Sequence, residues 1–207
     1  MAEVDFAAAR APEGMRLYAI GDVHGCRDLL IRMHEAIDAE IALRGNHDDQ
    51  MLNFLKASGE WRLFTDHGGD ATASSYGVAA DFATPRMIET SRAALNAAMP
   101  AAHRAFLDAL PYQASFGDFM FCHAGVRPGV PLDRQDRHDL IWIRDAFLLD
   151  HGLHERVIVH GHTPVETVDI RRNRVNLDTR AFASGRLSAM SIEGGVKRIM
   201  EVSGSRR

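Results

Sequence analysis

Four short stretches of this 207-residue chain set His, Asp or Asn beside glycine directly after an apolar run of strand length. The first is Leu17-Tyr18-Ala19-Ile20-Gly21-Asp22-Val23-His24-Gly25. Asp22 and His24 stand one residue apart, so on an extended segment both point to the same side. Glycines on either flank let the backbone turn tightly and approach a ligand closely. The others are Arg44-Gly45-Asn46-His47-Asp48 after Ile41-Ala42-Leu43, His123-Ala124-Gly125 after Phe119–Cys122, and His160-Gly161-His162-Thr163-Pro164 after Val157-Ile158-Val159. Carboxyl ends of strands line the ligand crevice of an α/β sheet. Four such ends converging would gather one or two carboxylates, an amide and three or four imidazoles, a mixed oxygen and nitrogen set that suits Mn, Fe or Zn better than Ca or Mg. Any one stretch alone reads equally well as a capping Asp with a satisfied loop His. Four together read as a metal site.

The elements that must position these residues follow from hydrophobic period. Residues 1–15 are Ala-rich with Pro12 and Gly14 and read as a loose lead-in. Arg27–Glu40 carries Leu29, Leu30, Met33, Ala36 and Ile37 at helical spacing and starts beside the Asp22/His24 loop. Ile41-Ala42-Leu43 reads as a short buried strand, and Asp49–Ala57 as an amphipathic helix. Trp61–Gly69 reads as a loop, and Thr72–Tyr76 leads into an irregular stretch. Thr84–Leu110 is helical with a restart at Pro100 and a stop at Pro111. Gly117-Asp118 between two apolar runs signals a hairpin. Leu140–Leu149 surrounds Trp142 as a short element. Thr167–Ile170, Arg174–Leu177, Leu187–Ile192 and Lys197–Glu201 follow as short strands. The expectation is one α/β domain over residues 1–207, with two packed mixed β-sheets flanked by helices.

Bulk properties narrow the function classes. A hydrophobic content of 46% and a charged content of 25% are ordinary for a globular protein. A net charge of −4 gives no electrostatic footprint for nucleic acid or for an anionic membrane. No apolar run approaches the ~20 residues that span a bilayer. The N-terminus carries acids where a signal peptide carries bases. Cys26 and Cys122 make no disulfide framework and read as reduced cytoplasmic thiols. Cys122 reads as a buried strand thiol, and Cys26, opening a helix, as a thiol with scope for redox chemistry.

Gly21-Asp22-x-His24-Gly25, Arg44-Gly45-Asn46-His47-Asp48, His123-Ala124-Gly125 and Gly161-His162-Thr163-Pro164 resemble the calcineurin-like metallophosphoesterases. Within these they resemble the bacterial branch of the serine/threonine phosphoprotein phosphatases, close to the diadenosine tetraphosphatases. The likeness runs from about Leu17 to Ile192 and takes in Gly68-Gly69, Ser75-Tyr76-Gly77, Gln135, Trp142-x-Arg144 and Asn176-Leu177-Asp178-Thr179. It implies a four-layer sandwich and two divalent ions, manganese first, with iron or zinc as alternatives. By resemblance Asp22 and His24 hold one ion, and Asn46, His123 and His162 the other. His47 protonates the leaving oxygen, and Arg44 and Arg144 grip the phosphate. Ions ~3.5–4 Å apart activate water and clamp both attacking and leaving oxygens. Guanidiniums suit a tetrahedral oxyanion through paired hydrogen bonds. Tyr76 sits in a motif-like stretch and is carried as a substrate contact, although Tyr76, Trp61 and Trp142 all read well as packing residues.

One departure stands out. The family carries a second motif, Gly-Asp-x-x-Asp-Arg-Gly, whose first Asp bridges the two ions, and this chain has no such stretch. Its place falls at Glu40-Ile41, where a predicted helix runs into a predicted strand with no turn residue, whereas such connections take ~2–6 residues. A strand with its crossover helix, about 30 residues, either is truly deleted or belongs to the molecule outside these 207 residues. The abrupt joint favours the second, and an intact mass of 22.9 kDa would exclude it.

The expected function is metal-dependent hydrolysis of phosphate monoesters, with phosphoserine or phosphothreonine proteins, or small phosphoesters, as partners. Symmetrical diadenosine tetraphosphate hydrolysis is the alternative. A catalytically inactive phosphatase fold that serves as a binding module is a third reading, if the bridging Asp is truly deleted. His160 reads either as an orienting or as a packed strand-end residue. His34, His67, His103, His138, His151 and His154 read as solvated, and Asp48 as a helix cap first, with support of the site as its alternative.

Overall fold

In chain order the protein forms β1 (Arg16–Ile20) and α1 (Arg27–His34), then α2 (Asn46–Lys56), α3 (Arg62–Asp66), α4 (Gly69–Ser75), α5 (Pro85–Ala98) and α6 (Ala101–Ala109). It continues with β2 (Gln113–Phe116), β3 (Phe119–Cys122), α7 (Arg137–Trp142), α8 (Asp145–Leu148), β4 (Val157–His160), β5 (Asp169–Ile170) and β6 (Arg174–Asn176). It closes with α9 (Ala181–Ser184), β7 (Arg186–Glu193) and β8 (Val196–Ser203). This computed structural model describes residues 3–34 and 41–204. The chain divides into two compact units, Met1–Leu43 with Tyr112–Arg207 as unit 1, and Arg44–Pro111 as unit 2.

Unit 1 is an α/β arrangement of two sheets flanked by helices. One sheet has the order β1-β7-β8, all antiparallel, and the other the order β2-β3-β4-β6-β5. In the larger sheet β3, β4 and β6 run parallel, so their carboxyl ends share one edge. Side-chain alternation decides what lies between the layers. Phe119 and Phe121 of β3, with Val157 and Val159 of β4, pack with Leu17 and Ala19 of β1 and Met190 and Ile192 of β7. The intervening residues Met120, Cys122 and Ile158 turn the other way, onto Leu140 and Ile143 at the α7 end and Phe147 of α8. On the smaller sheet Leu187 and Ala189 turn outward onto Leu29 and Met33 of α1. The layers are therefore helix, sheet, sheet, helix. Burying one such Leu, Ile or Phe side chain contributes about 1.5–3 kcal/mol.

Unit 2 is helical. Its core is Phe54, Leu55, Phe64, Ala73, Leu95 and Met99. Thr84 caps α5 by accepting from Met87 N at 3.3 Å, Pro85 fills its first turn, and Pro100 separates it from α6. These boundaries match the sequence reading, as does the β2–β3 hairpin turning at Gly117-Asp118.

Several expectations are corrected. Residues 3–15 are pinned rather than loose: Val4 N donates to His154 O at 2.8 Å, Arg10 N to Asp118 Oδ2 at 2.8 Å, and Ala9 is fully buried. The Ala-rich composition hid a segment whose backbone finds partners across the sheets. Ile41-Ala42-Leu43 is not a strand, and Ile41 is 56% exposed, because no neighbouring strand pairs with it among the described residues. Helix α2 begins at Asn46, three residues before expected, and α3 and α4 replace the predicted loop and irregular stretch. There Phe64 and Ala73, too sparse to show a helical period, are held by tertiary packing. The Arg27–Glu40 helix is seen as far as His34. The rest of it and the Glu40 side of the abrupt joint lie outside the described residues.

Candidate functional site

Four strand ends meet in unit 1. β1 ends at Ile20 and turns through Gly21 to Asp22, β3 leads into His123, β4 into Gly161-His162, and β6 into Leu177-Asp178. Backbone bonds lock these ends together: Gly21 N donates to Ser188 O at 2.9 Å, Gly161 N to His123 O at 2.8 Å, and Leu177 N to His160 O at 2.9 Å. The approach is too close for side chains at two places. A Cβ on Gly21 would stand 2.2 Å from Leu177 O, and one on Gly161 would stand 2.1 Å from Asp22 Oδ1. Glycine at 161 is thus what admits the Asp22 carboxylate.

Asp22 is the hub. Its Oδ2 accepts from His162 N at 3.2 Å and lies 3.6 Å from His24 Nε2, while its Oδ1 lies 3.9 Å from His123 Nδ1. His123 Nε2 meets His162 Nδ1 at 3.2 Å, one ring donating and the other accepting. His24 and His162 both hold left-handed backbone, φ 44° and 66°. That conformation costs a non-glycine residue roughly 1–2 kcal/mol and concentrates at functional sites. Asn176 braces the His162 turn by donating from Nδ2 to Thr163 O at 2.7 Å. The structure therefore brings together Asp22, His24, His123 and His162.

Neighbouring donors bonded to one ion at ~2.1 Å stand about 3–3.5 Å apart. The His123–His162 pair falls within that range and the Asp22–His24 pair just beyond it. One carboxylate with imidazoles is the donor chemistry of Mn, Fe or Zn. Among the described residues the donors meet in pairs, and no group of three or more His, Cys, Asp or Glu side chains forms a complete metal-holding cluster.

The Arg44–Asp48 stretch belongs to unit 2 and opens α2, not a strand end. Asn46 is buried in the first turn, His47 is half-buried, and Asp48 Oδ2 accepts from Gly45 N at 2.9 Å, the capping role expected of it. Arg44 departs from its expected phosphate grip. It is 9% exposed, and Nη2 donates to Leu107 O at 2.7 Å and Asp108 O at 3.1 Å, with Nη1 3.4 Å from Asp49 Oδ1. These carbonyls lie in the last turn of α6, where a cation complements the helix dipole. Tyr76 likewise serves unit 2: it packs against the helical core, with its hydroxyl 3.1 Å from His103 Nδ1. Arg144 remains in unit 1, exposed at the start of α8.

Asp178, whose motif carries no assigned role in the sequence, also lies at this edge. Asp178 is 1% exposed and Oδ1 accepts from Arg180 N at 2.9 Å. Burial raises its carboxyl above the ordinary value, opposed by that hydrogen bond and by the charges of His24, Arg180 and Arg144. The signal available was a fifth strand-like run, Arg174–Leu177, ending in an acid. His160 is packed: its ring meets Phe147 edge-on at 5.1 Å, Nδ1 lies 3.1 Å from Gly161 O, and burial pushes its pKa down to about 4. His154, expected to be solvated, is stacked on Phe147 at 6.1 Å. Burial pushes the Cys122 thiol up to about 12, which makes it inert. Cys26 is buried against α1 and β7, so its expected scope for redox chemistry is closed off.

Beside the site, the half-buried Trp142 meets His162 edge-on at 6.0 Å, and exposed His138 stacks on it at 6.1 Å and 22°.

No family model and no curated protein matches the chain. A solved structure described as a "putative diadenosine tetraphosphatase" is similar to it at 20% identity and a TM-score of 0.64, covering 100% of both chains. This likeness establishes a shared fold, a two-sheet α/β architecture.

Proposed function

We propose that the protein is a divalent-metal-dependent phosphoesterase, with Asp22, His24, His123 and His162 as its metal-binding residues. The observation that carries this reading is the Asp22 carboxylate, met within 4 Å by groups of His24, His123 and His162 from three separate strand ends. A bound divalent ion supplies Lewis-acid neutralisation of phosphate charge and activation of water. The chain's own contributions are separate. Gly161 admits the carboxylate, and Asn176 fixes the turn that presents His162. Exposed Arg144 offers a planar cation to a tetrahedral oxyanion. The motif resemblance adds a role for His47 as proton donor to the leaving oxygen, tested by loss of turnover in His47→Ala. The test of the whole is hydrolysis of an aryl phosphate that stops with chelator and returns with Mn2+. Silence under Mn2+, Fe2+ and Zn2+ alike would end the proposal.

The substrate the motifs favour is a phosphate monoester, phosphoserine or phosphothreonine in a protein. The Trp142–His138 stack favours a second reading. A flat aromatic surface beside the phosphate site suits a nucleobase, whose stacking contributes about 1–3 kcal/mol. The fold neighbour's own description agrees with a dinucleoside tetraphosphate substrate. Product analysis on a phosphopeptide and on diadenosine tetraphosphate separates the two, and Trp142→Ala should impair only the second.

A further inference from the structure

Among the described residues the site gathers imidazoles around one carboxylate, Asp22. A further negative charge near the donors strengthens their hold on a divalent ion. A second acid, Asp178, borders the same glycine turn. The Cβ position of Gly161 lies 2.1 Å from Asp22 Oδ1 and 3.4 Å from Asp178 Cβ, so both acids border Gly161. Asp178 arrives there because β6 runs parallel to β4 and ends at the same edge. Its backbone is fixed on both sides: its N–H donates to Asn176 Oδ1 at 3.0 Å, and its carbonyl accepts from Val165 N at 2.9 Å. A charge buried to 1% exposure is costly unless cations face it. The charges of His24, Arg180 and Arg144 act on it.

We propose that Asp178 is the second carboxylate of the metal site, a positioning residue whose negative charge, acting from behind Gly161, strengthens divalent-cation binding at Asp22 and His24. The inference rests on the metal-dependent reading above. A purely structural role is also visible, since Asp178 Oδ1 accepts from Arg180 N and so shapes the left-handed turn at Arg180, φ 55°. Asparagine makes that same turn without the charge, and this separates the two roles.

The test is calorimetric titration of Mn2+ into the metal-free full chain, with thermal melting alongside. Asp178→Asn should melt as the wild type does and bind Mn2+ about 10–100-fold more weakly, the usual effect of losing a supporting group behind a ligand. Asp178→Ser, which also caps the turn, gives the same reading if the Asn variant does not fold. A folded variant that binds Mn2+ within about twofold of wild type overturns the role of Asp178 alone. Wild-type protein that binds no Mn2+ overturns the metal reading, and this inference with it.

Discussion

Asp22 and His24 in unit 1 and Asn46 and His47 in unit 2 stand in closely similar surroundings of glycine and acid, yet the backbone treats them oppositely. The first pair follows a paired strand, and its His takes left-handed backbone. The second pair opens an eleven-residue helix whose first turn is satisfied locally, with Asp48 reaching back to Gly45 N. Strand ends leave side chains to be gathered by other strands, whereas a helix start absorbs its polar residues into its own unpaired N–H groups. Unit 1 thus holds its acid and imidazoles through partners on other strand ends, and unit 2 holds Asp48 within one helix start. Similar motifs become chemistry or capping according to the element they terminate.

Five perturbations break or sharpen this contrast. The largest is in unit 2: Phe54→Ala, at a fully buried ring touching Trp61, Phe64 and Phe82, should cost about 3–5 kcal/mol. Urea unfolding followed by Trp61 fluorescence measures it.

Next is the pH response of unit 1. His160 has a folded pKa of about 4 because burial disfavours its charged form, against about 6.5 when unfolded. Above pH 6.5 both states are neutral. As pH falls from 6.5 towards 4 the unfolded chain takes up the proton first, so stability should drop by about 3 kcal/mol at most. His160→Phe should flatten the fall in urea midpoint measured in chelator, and Phe54→Ala should leave it unchanged.

His162→Ala comes third, with a loss of aryl phosphate turnover of about 100-fold or more, equal to about 2.7 kcal/mol. Its melting temperature should move far less than that of Phe54→Ala. Gly161→Ala is fourth: the added Cβ must displace Asp22 Oδ1, which should cost about 1–3 kcal/mol of stability and weaken Mn2+ binding. An unchanged Mn2+ titration would show that the carboxylate's position does not matter. The smallest is Asp48→Ala, which removes a cap worth about 1 kcal/mol in unit 2 and should leave Mn2+ affinity untouched.

Much of this contrast was legible in the chain. The alternation in Phe119–Cys122 and Val157–His160 gave two-faced strands, and Pro85, Pro100 and Pro111 set helix boundaries, because period and ring constraint act within a few residues. The Ala-rich lead-in and the helices around Phe64 and Ala73 were not legible, since their order comes from partners distant in sequence. Arg44 misled for the same reason: a guanidinium beside Gly-Asn-His looks aimed at phosphate until the α6 carbonyls are seen to hold it.

By itself the sequence determined which residue types end each strand, and hence that carboxylate and imidazole would accumulate at strand tips. Only the tertiary structure decided which tips meet. Parallel pairing of β4 with β6 brought in Asp178, and a gap that only glycine fits at position 161 admitted Asp22, because both depend on packing between segments far apart in the chain.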